Sequence, residues 1–496
     1  MKKRLISALL LGAIITSSML AACSKPAQND TADTTSVQTD TAPDTEADET
    51  TADPDADNLP ELDYEGATVR VLYRDVHNLP DYEMTAEQTG DIIDDAIYER
   101  NLEVSERLNI KFEFTGMGDA AASAFPKSVA SSVIAGENEF DFFVWGQSNS
   151  LKNALSDILC DVTDGLYFDF DRDWWNSDYM NEMRIGNDRL YFLAGDLVVT
   201  VISRMSTVFV NKDYYEELNG DIGDLYDTVL DGSFTYEKFG EMVEAAYFDT
   251  NGDGVNDIND RYGVMTTAVS NTDHFAYTAG FRLTKRDSDG YPSFDIMNER
   301  NTAIFDEIKQ LYYNNPGLFI TPETEIIDGT AENRFASGQM MFLPLWFAAA
   351  EKLRDMTSDY GVIPYPKYDE AEDEYRSLIQ NTASVISVPC TVGDLDMVSA
   401  VLEALSAESH RRVLPAYYEV GLKTKYSRDD ISSQMIDLIY SVASTDFAYA
   451  YSASLASAGT IARTVIGKNA DFSSTYASLE SAAVKGLEEM IDIYIS

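Results

Sequence analysis

One loop carries oxygen-bearing side chains at the spacing of a calcium site. Counted from Asp249, side-chain oxygens occupy positions 1, 3, 5, 9 and 12 of the segment 249–260. Gly254 at position 6 allows a sharp turn, and Val255 at position 7 can offer its backbone carbonyl. Calcium takes about six to eight hard oxygen ligands, which this spacing arranges around one centre. The predicted ligands are Asp249, Asn251, Asp253, Val255, Asp257 and Asp260.

The expected role of this calcium ion is structural, because it would fix the loop rather than take part in chemistry. The alternative is a surface turn rich in Asn, Asp and Gly that binds no ion.

The chain carries no familiar catalytic signature. HExxH, CxxC, GxSxG and phosphate-loop patterns do not occur, and the histidines His77, His274 and His410 lie far apart in sequence. Aspartate and glutamate are so abundant that the sequence leaves open a carboxylate pair for glycoside hydrolysis. We nevertheless predict that the protein is not an enzyme and has no catalytic residues.

Two cysteines, Cys160 and Cys390, follow Cys23 in the chain. Both lie in apolar surroundings, and they can pair only if the fold brings them together. A disulfide stays open on the sequence alone, and we predict two separate buried thiols.

Alternating strand and helix patterns over residues 67–144 predict a parallel, doubly wound sheet. Strands are predicted at 67–73, 110–114 and 140–144, with helices from 91 to 108 and from 127 to 136 between them. Trp145 follows the third strand at its carboxyl end, where ligands bind in open parallel sheets. It is therefore a candidate floor for a binding cleft, and packing into the core is the alternative.

The rest of the chain alternates helical and strand-like stretches without internal repeats. Met340 to Leu343 is an apolar run, after which Leu345, Trp346 and Phe347 open a predicted helix that runs to Met356. Other helices are predicted at 213–218, 236–247, 395–405 and 476–491, and strands at 361–363 and 383–388.

The N-terminus has the order of a secretory signal peptide: a basic start, an apolar run and small residues at the cut. Because Cys23 follows Leu20-Ala21-Ala22, the segment 1–22 resembles a bacterial lipoprotein signal. That resemblance implies that Cys23 is lipidated and that the protein is anchored at the extracellular face of the cytoplasmic membrane. A plain signal peptide or a spanning helix is the alternative, but the apolar run is short for a span.

Residues 23–60 are mostly Asp, Thr, Ala, Glu and Pro, and we predict a disordered acidic tether. The body of the chain that follows is too long for one ordinary core, so two lobes are expected. The formal net charge is −49, from 36 basic and 85 acidic residues. This balance argues against nucleic acid as a partner and mildly disfavours anionic ligands.

Several short segments, taken in their order along the chain, resemble bacterial extracellular solute-binding proteins of family 1, the maltose-binding-protein-like group. They include a strand that ends in an aromatic, an "FNK" segment, an "F..G..AM" signature and a "G..P.P" strand. The matching segments are 139–145, 173–176, 189–192, 209–213, 249–263, 334–341 and 360–366. The resemblance runs from about Tyr64 to the C-terminus, each segment is weak alone, and none names the sugar.

The resemblance implies a periplasmic-binding-protein type II fold, with two doubly wound α/β lobes joined by a hinge with three crossings. The crossings are expected near 194–195, 339–340 and 385–386. One lobe would then contain 62–195 and 340–385, and the other 196–339 and 386–496. Ligand would bridge the lobes and shift an open–closed equilibrium.

The resemblance also implies which residues touch the ligand. Aromatic rings cover the apolar faces of a sugar, while carboxylates, amides and Arg bind its hydroxyl groups. Trp145 and Trp346 are the first candidates, and Trp174 and Trp175 are adjacent, so only one of them could face a cleft. The complete predicted ligand set is Trp145, Trp346, Trp174, Trp175, Tyr417, Tyr418, Asp196 and Arg204.

We therefore expect a lipid-anchored, monomeric binding protein that captures an oligosaccharide and delivers it to the permease of an ABC importer. The alternatives are a binder of a peptide, a polyamine or another solute, a surface-anchored enzyme acting on polysaccharide, and an adhesin built on the same fold.

Overall fold

The computed structural model describes residues 56–75, 84–118, 125–148, 150, 158–423 and 430–495. The predicted signal peptide, Cys23, most of the predicted tether and His77 lie outside these residues. Across the described part of the chain, no helix combines the length and the apolar character that a membrane span needs.

The described residues form strands and helices in alternation. The strands are β1 (Ala67–Asp75), β2 (Ile110–Gly118), β3 (Phe142–Gly146), β4 (Ser206–Asn211), β5 (Tyr262–Thr267), β6 (Thr284–Arg286), β7 (Pro292–Phe294), β8 (Leu318–Thr321), β9 (Met340–Trp346), β10 (Tyr360–Ile363), β11 (Ser377–Leu378), β12 (Ser384–Ser387) and β13 (Ala443–Ser444).

The α-helices are Ile92–Leu108, Phe125–Ile134, Ser177–Met183, Val199–Ser203, Lys212–Asn219, Ile222–Leu230, Tyr236–Ala245, Ser270–Thr278, Glu299–Lys309, Thr324–Ile327, Thr330–Ala336, Ala349–Leu353, Leu395–Glu408, Leu414–Lys423, Asp430–Ser441, Phe447–Ala450, Ala462–Val465 and Phe472–Ile495. Short 3₁₀ segments occur at Val162–Asp164 and Ala458–Thr460, and π-helical segments at Gln310–Asn314 and Ser409–Val413.

The first sheet has the strand order β12-β3-β1-β2. β1 runs parallel to both β2 and β3, and β12 is antiparallel to β3. The helix Ile92–Leu108 connects β1 to β2 and begins where Asp91 accepts hydrogen bonds from the backbone N–H groups of Ile93 and Asp94. Ile93, Ile97, Val104 and Leu108 are buried along one face of this helix, which confirms the predicted pattern.

The second sheet has the strand order β10-β4-β9-β5-β8. β4 is antiparallel to both β10 and β9, whereas β5 is parallel to β9 and β8. The predicted lobe that combined 62–195 with 340–385 is therefore wrong for β9 and β10, because both strands pair within the second sheet. β12 pairs with β3 in the first sheet, so the predicted boundary at 385–386 also divides a strand.

Three neighbouring segments connect the regions of the two sheets. Leu193 and Ile386 exchange two backbone hydrogen bonds of 2.9 and 2.8 Å. The segment 193–206 and the segment 378–386 also meet at their other ends, where the backbone N–H of Leu378 donates to Ser206 Oγ over 2.9 Å. β13 lies parallel to β11, and the N–H of Ile379 donates to Ser444 O over 2.8 Å. The predicted crossings near 194–195 and 385–386 fall in or beside these segments, whereas the one at 339–340 is wrong.

The predicted helix 345–356 begins too early. Leu345 and Trp346 are the last residues of β9, where they pair with Thr207 and Ser206 of β4, and the helix spans Ala349–Leu353. Every residue of β9 before Trp346 is buried, so the sequence shows no alternation that would distinguish a strand from a buried helix.

The last residues of the predicted tether, which ends at residue 60, contact the folded body. The Arg107 guanidinium donates two hydrogen bonds of 2.6 Å to the carboxylate of Asp57. The Asp57 side chain is nearly inaccessible to solvent, and the paired guanidinium helps to hold the pKa of this carboxyl below its usual value against the effect of burial.

The predicted buried cysteines are corrected in part. Cys160 is half-buried, and Cys390 is exposed. They lie on opposite sides of one antiparallel bridge between Leu159 and Pro389, so the fold places the two segments side by side.

Gly195 lies in the first crossing segment, where the backbone of Trp174 packs closely against it. A Cβ at this position would lie 2.1 Å from the backbone oxygen of Trp174, a distance that no side-chain adjustment can relieve. Gly195→Ala should therefore lower the free energy of unfolding by about 3 kcal/mol or more, measured by urea denaturation. Gly240→Ala is the control, because its Cβ would meet Asn315 Nδ2 at an ordinary 3.9 Å in a helix. The control should be neutral or stabilising by up to about 1 kcal/mol, and equal effects of the two substitutions would contradict the close packing.

Candidate functional site

Trp346 and Arg204 meet at the end of β9, beside the first crossing segment. Trp346 pairs with Ser206 at the start of β4, and the Arg204 guanidinium carbon lies 5.2 Å from the centroid of the indole ring. Arg204 is buried, whereas Trp346 is partly exposed. The fold thus places a partly exposed indole next to a cation, and it brings together two of the predicted ligand residues.

A half-buried carboxylate and a tyrosine extend this arrangement. The Tyr417 hydroxyl donates to Glu351 Oε1 over 3.1 Å, and Glu351 lies on the helix Ala349–Leu353 that follows Trp346. Burial raises the pKa of Glu351, while the hydrogen bond from Tyr417 and the charge of Arg204 act in the opposite direction. Tyr417 is therefore near the predicted site but is itself buried, with its hydroxyl bonded to protein. Glu351 is a polar neighbour that the sequence reasoning missed.

His274 lies close to the indole of Trp346, with 6.5 Å between the ring centroids. Ser206 Oγ lies 2.8 Å from the backbone oxygen of Leu378 and 2.6 Å from Nδ1 of His274. The carbonyl oxygen of Leu378 can only accept, so the single hydroxyl proton goes there and Nδ1 must carry the ring proton. Burial lowers the pKa of His274 to about 3, with a smaller contribution from Arg463, so the ring is neutral. Its Nε2 is then a buried acceptor, for which the described residues supply no partner.

Asp196 is bound within the protein. His410 Nδ1 lies 2.6 Å from Asp196 Oδ2, and the Tyr440 hydroxyl donates to Oδ1. Burial raises the pKa of Asp196, and the hydrogen bond with His410 opposes this rise. Tyr418 packs edge-on against Tyr440, with 6.2 Å between ring centroids. The structure thus places Asp196 and Tyr418 in one cluster, in which both oxygens of the carboxylate already have protein partners.

Trp145 lies inside the first sheet region. Its ring is fully buried and stacks on Phe125 with 4.0 Å between centroids and 3° between planes. Its backbone pairs with Val385 of β12. In this structure the ring packs into the core, which is the alternative weighed for it, and contact with a ligand stays a prediction.

Trp174 and Trp175 are both buried and share one acceptor. The indole N–H groups donate to the two carboxylate oxygens of Glu403, over 3.0 Å from Trp174 and 2.9 Å from Trp175. The backbone N–H of Asp169 adds a third bond to the same carboxylate. Among the four predicted tryptophans, Trp346 is thus the one that is partly exposed. Ligand contact by Trp174 or Trp175 stays a prediction that this structure does not support.

Polar groups that sequence reasoning missed lie at the carboxyl ends of the first-sheet strands. Arg74 Nη1 donates to Thr382 O over 3.0 Å, and Ser148 Oγ donates to Asn381 O over 3.0 Å. Gln147 is fully buried, and its Nε2 has no partner among the described residues. Their signal in the sequence is their position directly after predicted strands, which is the place where open parallel sheets bind ligands.

The predicted calcium loop is compact and bonds to its own backbone. Asp249 accepts from the N–H groups of Gly252 and Gly254 over 2.7 and 2.8 Å, and these bonds lower the pKa of its carboxyl. Asp260 is fully buried and accepts from Thr250 N. Asn251, Asp253, Val255 and Asp257 form the turns between them.

The donor set of this loop suits calcium, since it offers carboxylate, amide and carbonyl oxygens. Within the described ranges, three or more His, Cys, Asp or Glu side chains nowhere converge as a metal-ligand cluster. Calcium binding by the loop therefore stays a prediction.

The Glu403 carboxylate gives a prediction for the pH dependence of stability. Burial raises its pKa to about 7, against 4.5 for an unperturbed glutamate, although its hydrogen bonds act in the opposite direction. Because the folded form holds the proton more tightly, this group stabilises the fold at low pH and loses that contribution as the pH rises from 4.5 to 7. Relative to Glu403→Gln, the wild-type protein should lose on the order of 2–3 kcal/mol across this range.

The measurement is urea unfolding at several pH values. Glu489→Gln is the control for loss of a carboxyl, because Glu489 is exposed and pairs with Lys485 on the surface. A constant difference between wild type and Glu403→Gln across the range would contradict the effect of burial.

Known protein structures with a similar fold include sugar-binding proteins, one of them from an ABC transporter. The galacto-N-biose/lacto-N-biose I-binding protein of Bifidobacterium longum superposes with a TM-score of 0.58 at 13% identity, covering 86% of this chain and 98% of that one. The sugar-binding protein MalE of Xanthomonas citri gives 0.57 at 15% identity over 87% and 100%. A cyclo/maltodextrin-binding protein in complex with maltotetraose gives 0.55 at 12% identity over 86% and 98%.

No protein-family model and no curated protein sequence matches the chain. At these identities the likeness establishes the fold, and it agrees with the resemblance in the sequence. The chain therefore has the two-sheet α/β fold of maltose- and oligosaccharide-binding proteins.

Proposed function

We propose that this protein is an extracellular solute-binding protein of an ABC importer and that it captures a carbohydrate. The observation that carries the proposal is the partly exposed indole of Trp346, which lies beside Arg204 where the crossing segments leave the second sheet. An indole face covers the apolar side of a sugar ring, and a guanidinium donates to its hydroxyl groups. The fold shared with known oligosaccharide-binding proteins supports the same assignment.

Binding works by closure of the two lobes around the hinge formed by the crossing segments. Such a hinge lets each sheet region move as a rigid body, while the backbone bonds between Leu193 and Ile386 keep neighbouring crossing segments in register. A ligand that contacts both lobes binds the closed form more tightly and shifts the population towards it. The protein binds the sugar without converting it.

The proposed location is the extracellular face of the cytoplasmic membrane. The lipobox-like segment before Cys23 supports a lipid anchor, and the acidic stretch that follows supports a tether. The partners are the carbohydrate and the permease subunits of the importer, and the protein acts as a monomer.

The loop 249–260 binds calcium in this proposal, through Asp249, Asn251, Asp253, Val255, Asp257 and Asp260. The order of oxygen donors along the loop supports it. Outside the cell calcium is abundant, so a site of modest affinity would be filled. The ion would fix the loop, and this part of the proposal is independent of sugar binding.

Trp346→Ala tests the sugar site. With a panel of mono- and oligosaccharides, at least one sugar should raise the melting temperature of the tetherless wild-type protein, because a ligand at 100 times its Kd stabilises by about 2.7 kcal/mol. Trp346→Ala should remove this shift or weaken the affinity at least about tenfold. The measurements are the melting temperature with and without sugar, which gives the shift and shows whether the variant folds, and the affinity by calorimetry.

Phe248→Ala is the matched control, because this ring is 58% exposed and lies outside the site. It should keep the full shift. A full shift in Trp346→Ala would contradict the site, and the absence of any shift in the wild-type protein would contradict carbohydrate binding. Chromatography of the recovered sugar separates a binder, which leaves it intact, from an enzyme.

Removal of calcium tests the loop. A calcium-selective chelator should lower the melting temperature of the wild-type protein, and added calcium should restore it, because an ion bound to the folded form alone stabilises that form. Asp249→Ala should lose this response. Asp231→Ala is the control, since Asp231 accepts the N–H of Ser233 in a similar exposed turn outside the loop. An unchanged melting temperature in the chelated wild-type protein would exclude a stabilising ion.

A further inference from the structure

Arg74 lies at the carboxyl end of β1, which neighbours two parallel strands in the first sheet. β2 and β3 flank β1 and run in the same direction. Ligands of open parallel sheets bind beyond the carboxyl ends of the strands. Arg74 is partly exposed at this end, so its guanidinium is placed where a bound solute could reach it.

The guanidinium is held across the end of β3. Nη1 donates to Thr382 O over 3.0 Å, which connects it to the crossing segment before β12. A Cβ at Gly146 would lie 3.3 Å from the same nitrogen, so the missing side chain at this position leaves room for the guanidinium. Two different elements therefore position Arg74.

The charge of Arg74 is not balanced by a carboxylate in the described part of the chain. Its guanidinium bonds to the neutral carbonyl of Thr382 and forms no ion pair with the described residues. Asp75 lies next to it in sequence, but Oδ2 of Asp75 lies over β2, 3.0 Å from the Cβ position of Gly116.

Arg204 differs from Arg74 in this respect. It is buried against the Trp346 ring, and its charge acts on the nearby carboxyl of Glu351. A guanidinium has five N–H donors and no acceptor, and Thr382 O occupies one donor of Arg74. The other donors and the charge favour a group that only accepts and carries a negative charge.

We propose that Arg74 binds a carboxylate of the solute, so that the captured carbohydrate contains a uronic acid. The inference rests on the proposed function and names its substrate class. A guanidinium matches a carboxylate with two parallel charge-assisted hydrogen bonds, which a neutral hydroxymethyl group does not provide. The net charge of −49 repels anions at long range, but salt screens exposed charges beyond about 8–10 Å, so the local pair decides specificity.

The experiment compares pairs of sugars that differ only in carrying a carboxylate or a hydroxymethyl group. The probes are the α-1,4 and β-1,4 disaccharides of glucose, galactose and mannose, together with the corresponding diuronates, and affinities are measured by calorimetry at physiological salt. At least one diuronate should bind the wild-type protein at least about tenfold more tightly than its neutral counterpart. Arg74→Gln should reduce this uronate-to-neutral ratio at least about tenfold.

Two further variants sharpen the result. Arg74→Lys keeps the charge but cannot form the bidentate pair, so the uronate-to-neutral affinity ratio should fall to an intermediate value. This variant also tests the inference if Arg74→Gln fails to fold. Arg189→Gln is the control for net charge, because Arg189 is exposed and contacts the Tyr191 hydroxyl away from β1. It should keep the wild-type ratio.

Neutral sugars binding as well as or better than uronates would overturn the inference and leave the proposed function standing. A ratio unchanged in both Arg74 variants would also overturn it. If neither class of sugar binds to the wild-type protein, the proposed function fails together with this inference.

Discussion

Hydrogen bonding between three neighbouring segments is the constraint on which the arrangement of the two sheets depends. Leu193 pairs with Ile386, Leu378 bonds to Ser206, and Ile379 bonds to Ser444. Each segment leads directly into or out of a sheet strand, so the positions of Trp346, Arg204 and Arg74 follow from this register. A buried backbone N–H or C=O needs a partner, and these segments satisfy one another where they pass between the two sheets.

Polar groups buried near the crossing segments are distributed between two roles. Asp196 and Glu403 have each of their carboxylate oxygens bonded to protein donors, and both anchor elements that are distant in sequence. Trp346 and Arg74 are placed differently, because each keeps a surface or an atom that the described protein does not use. The first group maintains the site, and the second group is the part that a solute could contact.

The sequence predicted local structure well where hydrophobic periodicity was clear. The alternation in β1 and β2 and the spacing of Ile93, Ile97 and Val104 identified the strand–helix–strand order of the first sheet, since these patterns depend on short-range geometry. Partner choice between strands depends on contacts far apart in the chain. The predicted lobe boundaries therefore assign β9 to the wrong sheet, and its last two residues, Leu345 and Trp346, are predicted as the start of a helix.

The candidate site was predictable only in part, for a similar reason. Trp346 is predicted from the family resemblance and Arg204 as a plausible polar partner, and the fold brings them together. Trp174 and Trp175 have the same residue type, but Glu403 lies more than 200 positions away and binds both indoles. Residue type alone does not show which indole has a distant acceptor that keeps it inside the protein.

The contact between Asp57 and Arg107 fixes the first described residues to the body of the protein. The Arg107 guanidinium donates two hydrogen bonds to the Asp57 carboxylate. Arg107 belongs to the helix Ile92–Leu108, which packs against the first sheet. A pull on the chain before Asp57 would therefore be transmitted to this helix, and from it to the first sheet and to the helices Leu395–Glu408 and Leu414–Lys423 that it contacts. In a protein held at a membrane, the first-sheet region would then be the anchored part, and the second-sheet region would be the part that moves.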